Sequence, residues 1–490
     1  MKRSNLRMSN ESNKKDSRNQ ITSLQLFSMT TSMVMTVYGF AAFAKQGPRA
    51  FFFLFLAAVL WFLPVILTSG EMASIDGWEK GGIFTWVKGT LGEKNGWLAL
   101  FYQWIHITVG INTMMYFIIG CFSASLNIPI INDNPIVKFI LMMIILWGLI
   151  ALQQHGTRIT GKIAQWCFTI GVILPILILL VMFIIYLIQG HDHYITINWH
   201  TIMPHSLGIQ TLIGFVPFIL AFAGAEGSAP HVKNLKNPAS YPKVMLSLGI
   251  CAVVSDIVGS MAIAMTIPNE KIILSNGIVY AFGGLLDSIA SHGIIIEKLS
   301  GILLATGVLG EISSWVVGPN TGMYEAAKEG FLPKRFSKVN DYNIPTNIMI
   351  LQGIIVSIMG ALLTFGAGGS KDNLSFRTAM SLTVAIYTLM YMMMFIGYIV
   401  LQTKKDEGLI PSYSFTKSKF IKYLVGIVGF LLSLLGFVVS FVPDKTLPTN
   451  EKHAYLLMLL TAFVIVLIIP FLMYKKRKSW KSALQNNDSL

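Results

Sequence analysis

A carboxylate lies inside one of the most apolar stretches of the chain. Glu226 stands between Gly224 and Gly227, and these small residues interrupt the apolar run at 214–230. An ionisable side chain in a membrane span costs about 3 kcal/mol on insertion scales, so it usually has a function. Where a membrane helix breaks, its freed backbone groups need partners from protein, water or ligand. The pattern predicts a broken membrane helix whose carboxylate binds a solute, or alternatively anchors the broken backbone.

A second interruption lies in the first apolar segment of the chain. Tyr38, Gly39 and Phe40 stand there, before an alanine-rich run. The interrupted segments are the first and the sixth, and paired breaks at equivalent positions indicate an inverted-repeat transporter with its binding site at the breaks. The backbone amides after Gly39 and Gly227 would then face the substrate carboxylate, because helix N-termini are electropositive. The alternative is that these small residues only let helices pack closely.

Further polar and aromatic side chains could complete the site. Glu311 and Trp315 lie in the eighth apolar segment, and Tyr387 and Tyr391 lie in the tenth. Each has a structural alternative, because aromatic residues in membrane helices often just pack and a buried carboxylate can anchor neighbouring helices. His106, in the third segment, could sense pH near neutrality or be a histidine satisfied in the core.

The composition is that of a polytopic membrane protein. Apolar residues make up 54% of the 490 residues and charged residues only 12%, far below the roughly 25% of soluble domains. Twelve apolar stretches are long enough to cross a bilayer, and no loop is long enough for a soluble domain. The predicted spans are residues 22–44, 50–70, 97–125, 134–154, 163–189, 209–231, 244–267, 299–323, 345–367, 376–401, 420–443 and 455–474.

The fold class predicted from these spans is all-α, with twelve transmembrane helices arranged as a five-plus-five inverted repeat and two extra helices. The predicted parts are a disordered N-terminal tail at 1–21, a transport core at 22–401 with repeats at about 22–189 and 209–401, two additional helices at 402–474 and a short C-terminal tail at 475–490.

Lysine and arginine are distributed asymmetrically along the chain. If both termini are cytoplasmic, 28 of the 37 basic residues fall in tails and loops on the cytoplasmic side, as the positive-inside rule requires. The net charge of +14 is therefore a topology signal, and some lysines also meet anionic lipid. No nucleic-acid partner is expected, because there is no basic soluble domain. We expect a multi-pass protein of the plasma membrane with both termini in the cytoplasm.

No cofactor or metal is expected. Cys121, Cys167 and Cys251 lie in three different apolar spans, with the spacing of neither a zinc site nor a disulfide framework. The chain has no phosphate-binding glycine-rich loop followed by Lys and Ser or Thr, so ATP is not expected to drive it. A membrane-embedded enzyme would need a nucleophile–base set or a metal site, and neither is visible. A channel would usually show rings of like residues from identical subunits.

Several motifs resemble those of amino acid–polyamine–organocation transporters and, among these, of the glutamate:GABA antiporter family. The resemblance runs from about residue 21 to 475. Its motifs are Gly-Ala-Glu-Gly-Ser-Ala-Pro-His-Val at 224–232 with Asn237-Pro238 and Tyr241-Pro242, Gly-Val-Leu-Gly-Glu-Ile-Ser-Ser-Trp-Val-Val-Gly-Pro at 307–319 with Gly322-Met323-Tyr324, Gly-Glu-Met-Ala at 70–73, Asp-Gly-Trp-Glu at 76–79 and Phe-Ile-Gly-Tyr-Ile-Val-Leu at 395–401.

The resemblance implies a twelve-span fold of the leucine-transporter type. It also implies exchange of an extracellular amino acid for its intracellular decarboxylation product, functionally linked to a cytoplasmic amino acid decarboxylase. Such exchange serves acid resistance or generates membrane potential. Family position favours Tyr38, Phe40 and Tyr387 as residues of the substrate pocket.

The first break departs from the family pattern. Glutamate-exchanging members of the family have a sequence similar to Tyr-Glu-Tyr-Pro-Thr-Phe at this break. This chain has Tyr-Gly-Phe-Ala-Ala-Phe at 38–43. Gly39 replaces a charged side chain, so we expect a roomier and less polar pocket. This difference favours histidine/histamine exchange. The alternatives are glutamate/GABA, agmatine/putrescine and tyrosine/tyramine exchange, or a general amino acid permease.

Overall fold

The computed structural model describes residues 22–78, 81–155, 157–290, 293–366, 372–404, 408–445 and 447–485. The predicted tail at 1–21 and the last five residues of the chain lie outside them. Helices dominate the described residues, and none of these residues belongs to a β-strand.

The α-helices are, in chain order, α1 (Ser23–Val34), α2 (Phe40–Ala44), α3 (Arg49–Ala73, with a π-helical turn at Ala58–Phe62), α4 (Gly82–Leu91), α5 (Glu93–Leu126), α6 (Ile130–Asp133), α7 (Pro135–Gln153), α8 (Gly161–Gln189, with a π-helical turn at Thr169–Ile173), α9 (Trp199–Ile202), α10 (Ile209–Ile213), α11 (Val216–Leu220), α12 (Tyr241–Thr266), α13 (Gly277–Ala290), α14 (Gly293–Lys328), α15 (Thr346–Gly366), α16 (Asp372–Lys404), α17 (Lys419–Ser440) and α18 (Thr449–Gln485). Short 3-10 helices lie at Ala225–Asn234, Pro238–Ser240, Asn269–Lys271 and Lys334–Ser337.

Eleven helical segments of the described chain are long and apolar enough to cross a membrane. They correspond to the second to twelfth predicted spans, which confirms an all-α polytopic protein. The first predicted span, residues 22–44, is instead divided into the short helices α1 and α2. The count of twelve spans and the inverted repeat therefore stay predictions. At the other end, α18 continues to Gln485, so the predicted C-terminal tail begins as a helix.

The first span breaks because its sequence weakens the helix near residue 34. The hydroxyls of Thr30 and Thr31 donate to the carbonyls of Leu26 and Phe27, at 2.8 and 2.6 Å. Such bonds to the preceding turn compete with the regular pattern and bend helices. Met35 then adopts an extended conformation with φ −81° and ψ 108°. The chain does not become helical again until α2.

The sixth span breaks at a glycine. Gly224 has φ +92°, a left-handed conformation that glycine adopts without steric cost. The following Ala225–Asn234 segment continues as a 3-10 helix, in which the Gly227 amide donates to the Gly224 carbonyl at 3.0 Å. The structure thus contains an interruption at each of the two positions where the sequence predicts one.

Helices α8 and α14 cross with their backbones in contact. A Cβ added at Gly171 would lie 2.2 Å from the Gly307 nitrogen, and one added at Gly310 would lie 2.7 Å from the Ala164 carbonyl oxygen. Small residues permit such close approach between membrane helices. The crossing fixes α14, which carries Glu311 and Trp315, against α8.

The outer surface of the helix bundle is apolar. Ile136, Ile140 and Ile144 form an exposed row on α7, each one helical turn from the next. An exposed apolar surface of this kind is expected where helices contact lipid and is unusual on soluble proteins.

Candidate functional site

Glu226 is bound by side chains from two other helices. The Tyr391 hydroxyl donates to its Oε2, the Tyr387 hydroxyl donates to the same oxygen at 3.4 Å, and Gln103 Nε2 donates to Oε1 at 3.2 Å. The Tyr387 hydroxyl also accepts a bond from the Gly224 amide at 2.7 Å. Glu226 is 4% exposed. The carboxylate thus joins the break in the sixth span to α5 and α16.

An aromatic wall surrounds this carboxylate. Tyr387 and Tyr391 lie four residues apart on one face of α16, with hydroxyls 2.5 Å apart. The Trp61 ring packs 4.9 Å from Tyr391 and the His106 ring packs 4.5 Å from Tyr387, between centroids. His106 Nδ1 lies 3.2 Å from the Tyr102 carbonyl oxygen. His106 therefore contacts the site through its ring while one ring nitrogen is occupied within its own helix.

Trp315 lies over the break in the sixth span. A Cβ added at Gly224 would lie 2.8 Å from the Trp315 ring and 3.1 Å from the Met33 carbonyl oxygen, so a side chain has no room there. Gly224 of the sixth span therefore lies between Trp315 of α14 and Met33 of the first span. Gly227 also lies near the first span, because its added Cβ would be 3.4 Å from Met33 Sδ.

Glu311 lies one turn before Trp315 on the same face of α14. It is 1% exposed, and neither of its carboxylate oxygens has a hydrogen-bond partner in the described part of the chain. Tyr38, at the first break, is also buried. Glu311 is thus a buried carboxylate one turn from Trp315, with no hydrogen-bond donor among the described residues.

Two predicted pocket residues at the first break pack away from Glu226. The Phe40 ring lies against α12, because a Cβ added at Gly259 would be 2.1 Å from it. A Cβ added at Gly39 would lie 2.7 Å from the Phe43 ring, and Phe43 stacks on Phe218 at 4.7 Å. The absence of a side chain at Gly39 therefore opens no free space in this conformation, because Phe43 fills it.

At each break, one backbone amide already has a partner. The Gly227 amide donates to Gly224, and the Phe40 amide donates to the Val37 carbonyl at 3.3 Å. A substrate would have to displace these bonds. The helix that follows the first break, α2, has five residues, so its dipole is small.

Gln103 and Trp61 are site residues that the sequence analysis missed. Gln103 carried a weak signal, an amide side chain in an apolar helix three residues before His106. Trp61 carried none, because tryptophan is common in membrane helices. Trp61 reaches the site only because α3 packs against α16. Its Nε1 also donates a hydrogen bond to Ser433 of α17 at 3.1 Å.

Known proteins similar to this chain were identified by sequence comparison. The family model described as amino acid permease matches residues 21–464. The glutamate/gamma-aminobutyrate antiporter of Lactococcus lactis subsp. lactis is 43% identical over 457 residues, which cover 93% of this chain and 90% of the relative. The protein of the same name from Lactococcus lactis subsp. cremoris is 42% identical over 450 residues, covering 92% and 89%. An uncharacterized transporter of Legionella pneumophila is 26% identical over 436 residues, covering 88% and 92%.

These matches extend over nearly the whole chain and include both helix breaks and the Glu226 site. They confirm the resemblance seen in the motifs and agree with the eleven apolar helices of a multi-pass membrane protein. The chain belongs to the amino acid permease family, whose members are transporters rather than enzymes.

Proposed function

We propose that the protein is a secondary antiporter that exchanges an amino acid for its decarboxylation product. Glutamate and γ-aminobutyrate are the first pair to test. The observation that carries the proposal is the buried Glu226 carboxylate, held at the break in the sixth span by Tyr387, Tyr391 and Gln103. The names of the two relatives from Lactococcus lactis support both the antiport and the substrate pair.

The chemistry of Glu226 suits both directions of such an exchange. An amino acid and its decarboxylation product share the amine and differ in one carboxylate. A cationic amine can take the place of the tyrosine hydroxyls at Glu226, because hydrogen bonds between charged groups are stronger than those with neutral donors. A substrate that replaces these bonds loosens the contact between the sixth span and α16. This differential binding is what a conformational change requires.

Glu311 is a second candidate for the substrate amine or for a proton. A buried carboxylate without a hydrogen-bond donor is costly, and either ligand would relieve that cost. Glu311 and Glu226 flank Trp315 and Gly224, respectively, which are in contact. The site we propose therefore lies between two carboxylates, with Tyr38, Tyr387 and Trp315 as its aromatic boundary.

The proposed substrate pair, glutamate and γ-aminobutyrate, differs from the histidine/histamine pair that the sequence favoured. Histidine/histamine exchange rested on the space expected beside Gly39, and the Phe43 ring occupies that space. The relatives also give that pair no support. The alternatives to be tested beside glutamate/γ-aminobutyrate exchange are agmatine/putrescine exchange, tyrosine/tyramine exchange and general amino acid transport.

The proposed cellular setting follows from the charge distribution and the reaction. We place both termini in the cytoplasm, with twelve spans in the plasma membrane and the first ten forming two inverted repeats. A cytoplasmic decarboxylase would produce the exported amine and maintain its gradient.

Exchange by purified protein in liposomes tests the proposal. Labelled glutamate should enter vesicles loaded with glutamate or γ-aminobutyrate and should not enter empty vesicles. Equal uptake into empty vesicles would refute antiport and favour a channel or uniporter. Competition with histidine, histamine, agmatine, putrescine, tyrosine and tyramine identifies the pair, and inhibition by histidine and histamine alone would reject glutamate.

A further inference from the structure

A cavity of about 390 Å³ lies where α2 ends and α10 begins, away from the Glu226 network. Its lining includes Lys45, Arg49, Arg377 and Lys445, with Asp444 as the only carboxylate among the described lining residues. We call the cavity lined by these five residues the cationic vestibule. Only nine of the 37 lysines and arginines fall outside the segments assigned to the cytoplasmic side. Four of those nine meet in this one cavity.

Most of this positive charge is not neutralised within the vestibule. Arg377 forms an ion pair with Asp444 at 2.9 Å. Lys45 Nζ donates to a neutral acceptor, the Asn269 carbonyl oxygen, at 2.6 Å. No carboxylate in the described residues forms an ion pair with Lys45 or with the other two cations. Burial and the nearby Arg377 lower the pKa of Lys45, while Glu270 opposes this effect.

The vestibule and the proposed site lie along the same helix, α16. Arg377 and Tyr387 are ten residues apart on α16, or about 15 Å along a helix axis. Phe43 and Phe218 each directly follow a residue that lines the vestibule, and their rings stack at 4.7 Å. Both belong to the broken spans that form the proposed site, so the vestibule adjoins the elements of that site.

The chemistry of the vestibule selects for negative charge. Arginine forks bind carboxylates through paired hydrogen bonds, and a concave surface of one charge sign concentrates the opposite ion. An amino acid with a side-chain carboxylate carries a net negative charge at neutral pH. Neutral zwitterions carry none, and amines such as histamine are cationic.

We propose that the cationic vestibule is a separate subsite that binds the carboxylates of an acidic amino acid before it reaches Glu226. This proposal rests on the transport function proposed above and specifies its substrate class.

Binding is tested on purified protein with sodium glutarate, which has two carboxylates and no amine to pair with Glu226. A ligand that binds only the folded state raises the melting temperature, and we expect a rise of roughly 3 °C at saturation. The rise should disappear in the Arg49→Gln/Lys445→Gln double variant and persist in Lys298→Gln. The latter removes an exposed cation outside the cavity. An equal rise with sodium sulfate at the same ionic strength, or a rise kept in the double variant, would overturn the proposal.

Transport provides the second measurement. At low salt the double variant should raise the KM for glutamate about fivefold or more with little change in the maximal rate, whereas glutamine transport should be unaffected. Added salt should narrow the difference, because it screens exposed charges. A KM for glutamate within twofold of the Lys298→Gln control would exclude a role in uptake. If the wild-type protein exchanges no glutamate, the proposed function fails, and the glutarate melting experiment still decides whether the vestibule binds carboxylates.

Discussion

Glu226 and Glu311 are buried carboxylates with opposite surroundings. Glu226 accepts hydrogen bonds from Tyr391, Tyr387 and Gln103, whereas the two oxygens of Glu311 have no such partner in the described chain. Replacing either carboxylate should therefore lower transport, but the two replacements should affect the stability of the protein differently. Comparing the two separates a binding role from a structural role.

Glu226→Gln should lower exchange at least tenfold. The substitution keeps the shape and one acceptor oxygen but removes the charge that would bind an amine or proton, and a tenfold loss corresponds to about 1.4 kcal/mol. Exchange in proteoliposomes measures the effect, with Asp341→Asn as an exposed carboxylate control. Near-normal exchange by Glu226→Gln, together with low expression of Glu226→Ala, would make Glu226 a structural anchor.

Glu311→Gln should leave the melting temperature unchanged or raise it. A charged carboxylate buried without a donor destabilises the folded state, so its neutral analogue loses no hydrogen bond there. If Glu311 binds substrate amine or a proton, exchange should still fall severalfold. A marked drop in melting temperature would show that the negative charge of Glu311 stabilises the packing of the helices around it.

The sequence points to the candidate site most clearly where a residue is unusual for its own surroundings. A carboxylate between glycines in an apolar run is a local signal, and in the structure Glu226 bonds Tyr387 while Gly224 lies against Trp315. Gln103 escaped the analysis because its role arises only when α5 packs beside the sixth span. The space at Gly39 was misjudged for a similar reason, since the position of the Phe43 ring depends on packing.

The crossing of α8 and α14 explains one of the family-like motifs in physical terms. Gly307 opens the motif at 307–319, and a Cβ there would lie 2.5 Å from the Gly171 backbone. Gly318, in the same helix, has no atom within 4 Å of an added Cβ. The two glycines form a matched pair for separating close packing from helix propensity.

Gly307→Ala should destabilise the protein by about 1–3 kcal/mol, as overpacking usually does. Gly318→Ala should be neutral or slightly stabilising, because alanine favours a helix over glycine. Melting temperatures of the purified variants measure both effects. Equal melting temperatures would mean that α8 and α14 can move apart without destabilising the folded protein. The backbone contact would then contribute little to stability.

A buried ion pair joins three helices near the start of α17. Lys422 bonds Glu71 of α3, and the Tyr398 hydroxyl of α16 donates to the same carboxylate at 2.9 Å. Both charged side chains are almost fully buried. Removing one partner from such a pair usually costs about 3–5 kcal/mol, because the other charge stays buried.

Lys422→Met should therefore melt well below the wild type, and the double variant Lys422→Met/Glu71→Gln should recover much of that loss. Melting of the single and double variants provides the measurement. If the double variant is as unstable as the single one, the charge left behind is not the cause, and lost packing of the lysine stem would explain the effect.

Among whole elements, the apolar spans were the most predictable feature. Hydropathy is a local property, and eleven predicted spans reappear as helical segments long and apolar enough to cross a membrane. Helix ends were less predictable. α18 extends to Gln485, and beyond its apolar part Arg477 bonds Glu93 and lies 4.2 Å over the Phe331 ring. These contacts come from distant parts of the chain and leave no local pattern.

The distribution of charge relates the whole molecule to its surroundings. The basic C-terminal end of α18 and the cationic vestibule lie at opposite ends of the bundle, because the vestibule includes Tyr455 near the start of α18. If the positive-inside rule sets the orientation, the vestibule opens to the extracellular side. An acidic amino acid would then be collected where it enters.

Single cysteines test this orientation directly. In a background where Cys121, Cys167 and Cys251 are alanine, Lys298→Cys and Ser479→Cys place one thiol at an exposed position at each end of the bundle. A membrane-impermeant maleimide should label Lys298→Cys in intact cells and Ser479→Cys only after permeabilisation, because the positive-inside rule assigns the basic end to the cytoplasm. The reverse pattern would place the vestibule at the cytoplasmic face, where it would meet the metabolite pool rather than external substrate. Its excess of positive charge would then serve release rather than capture.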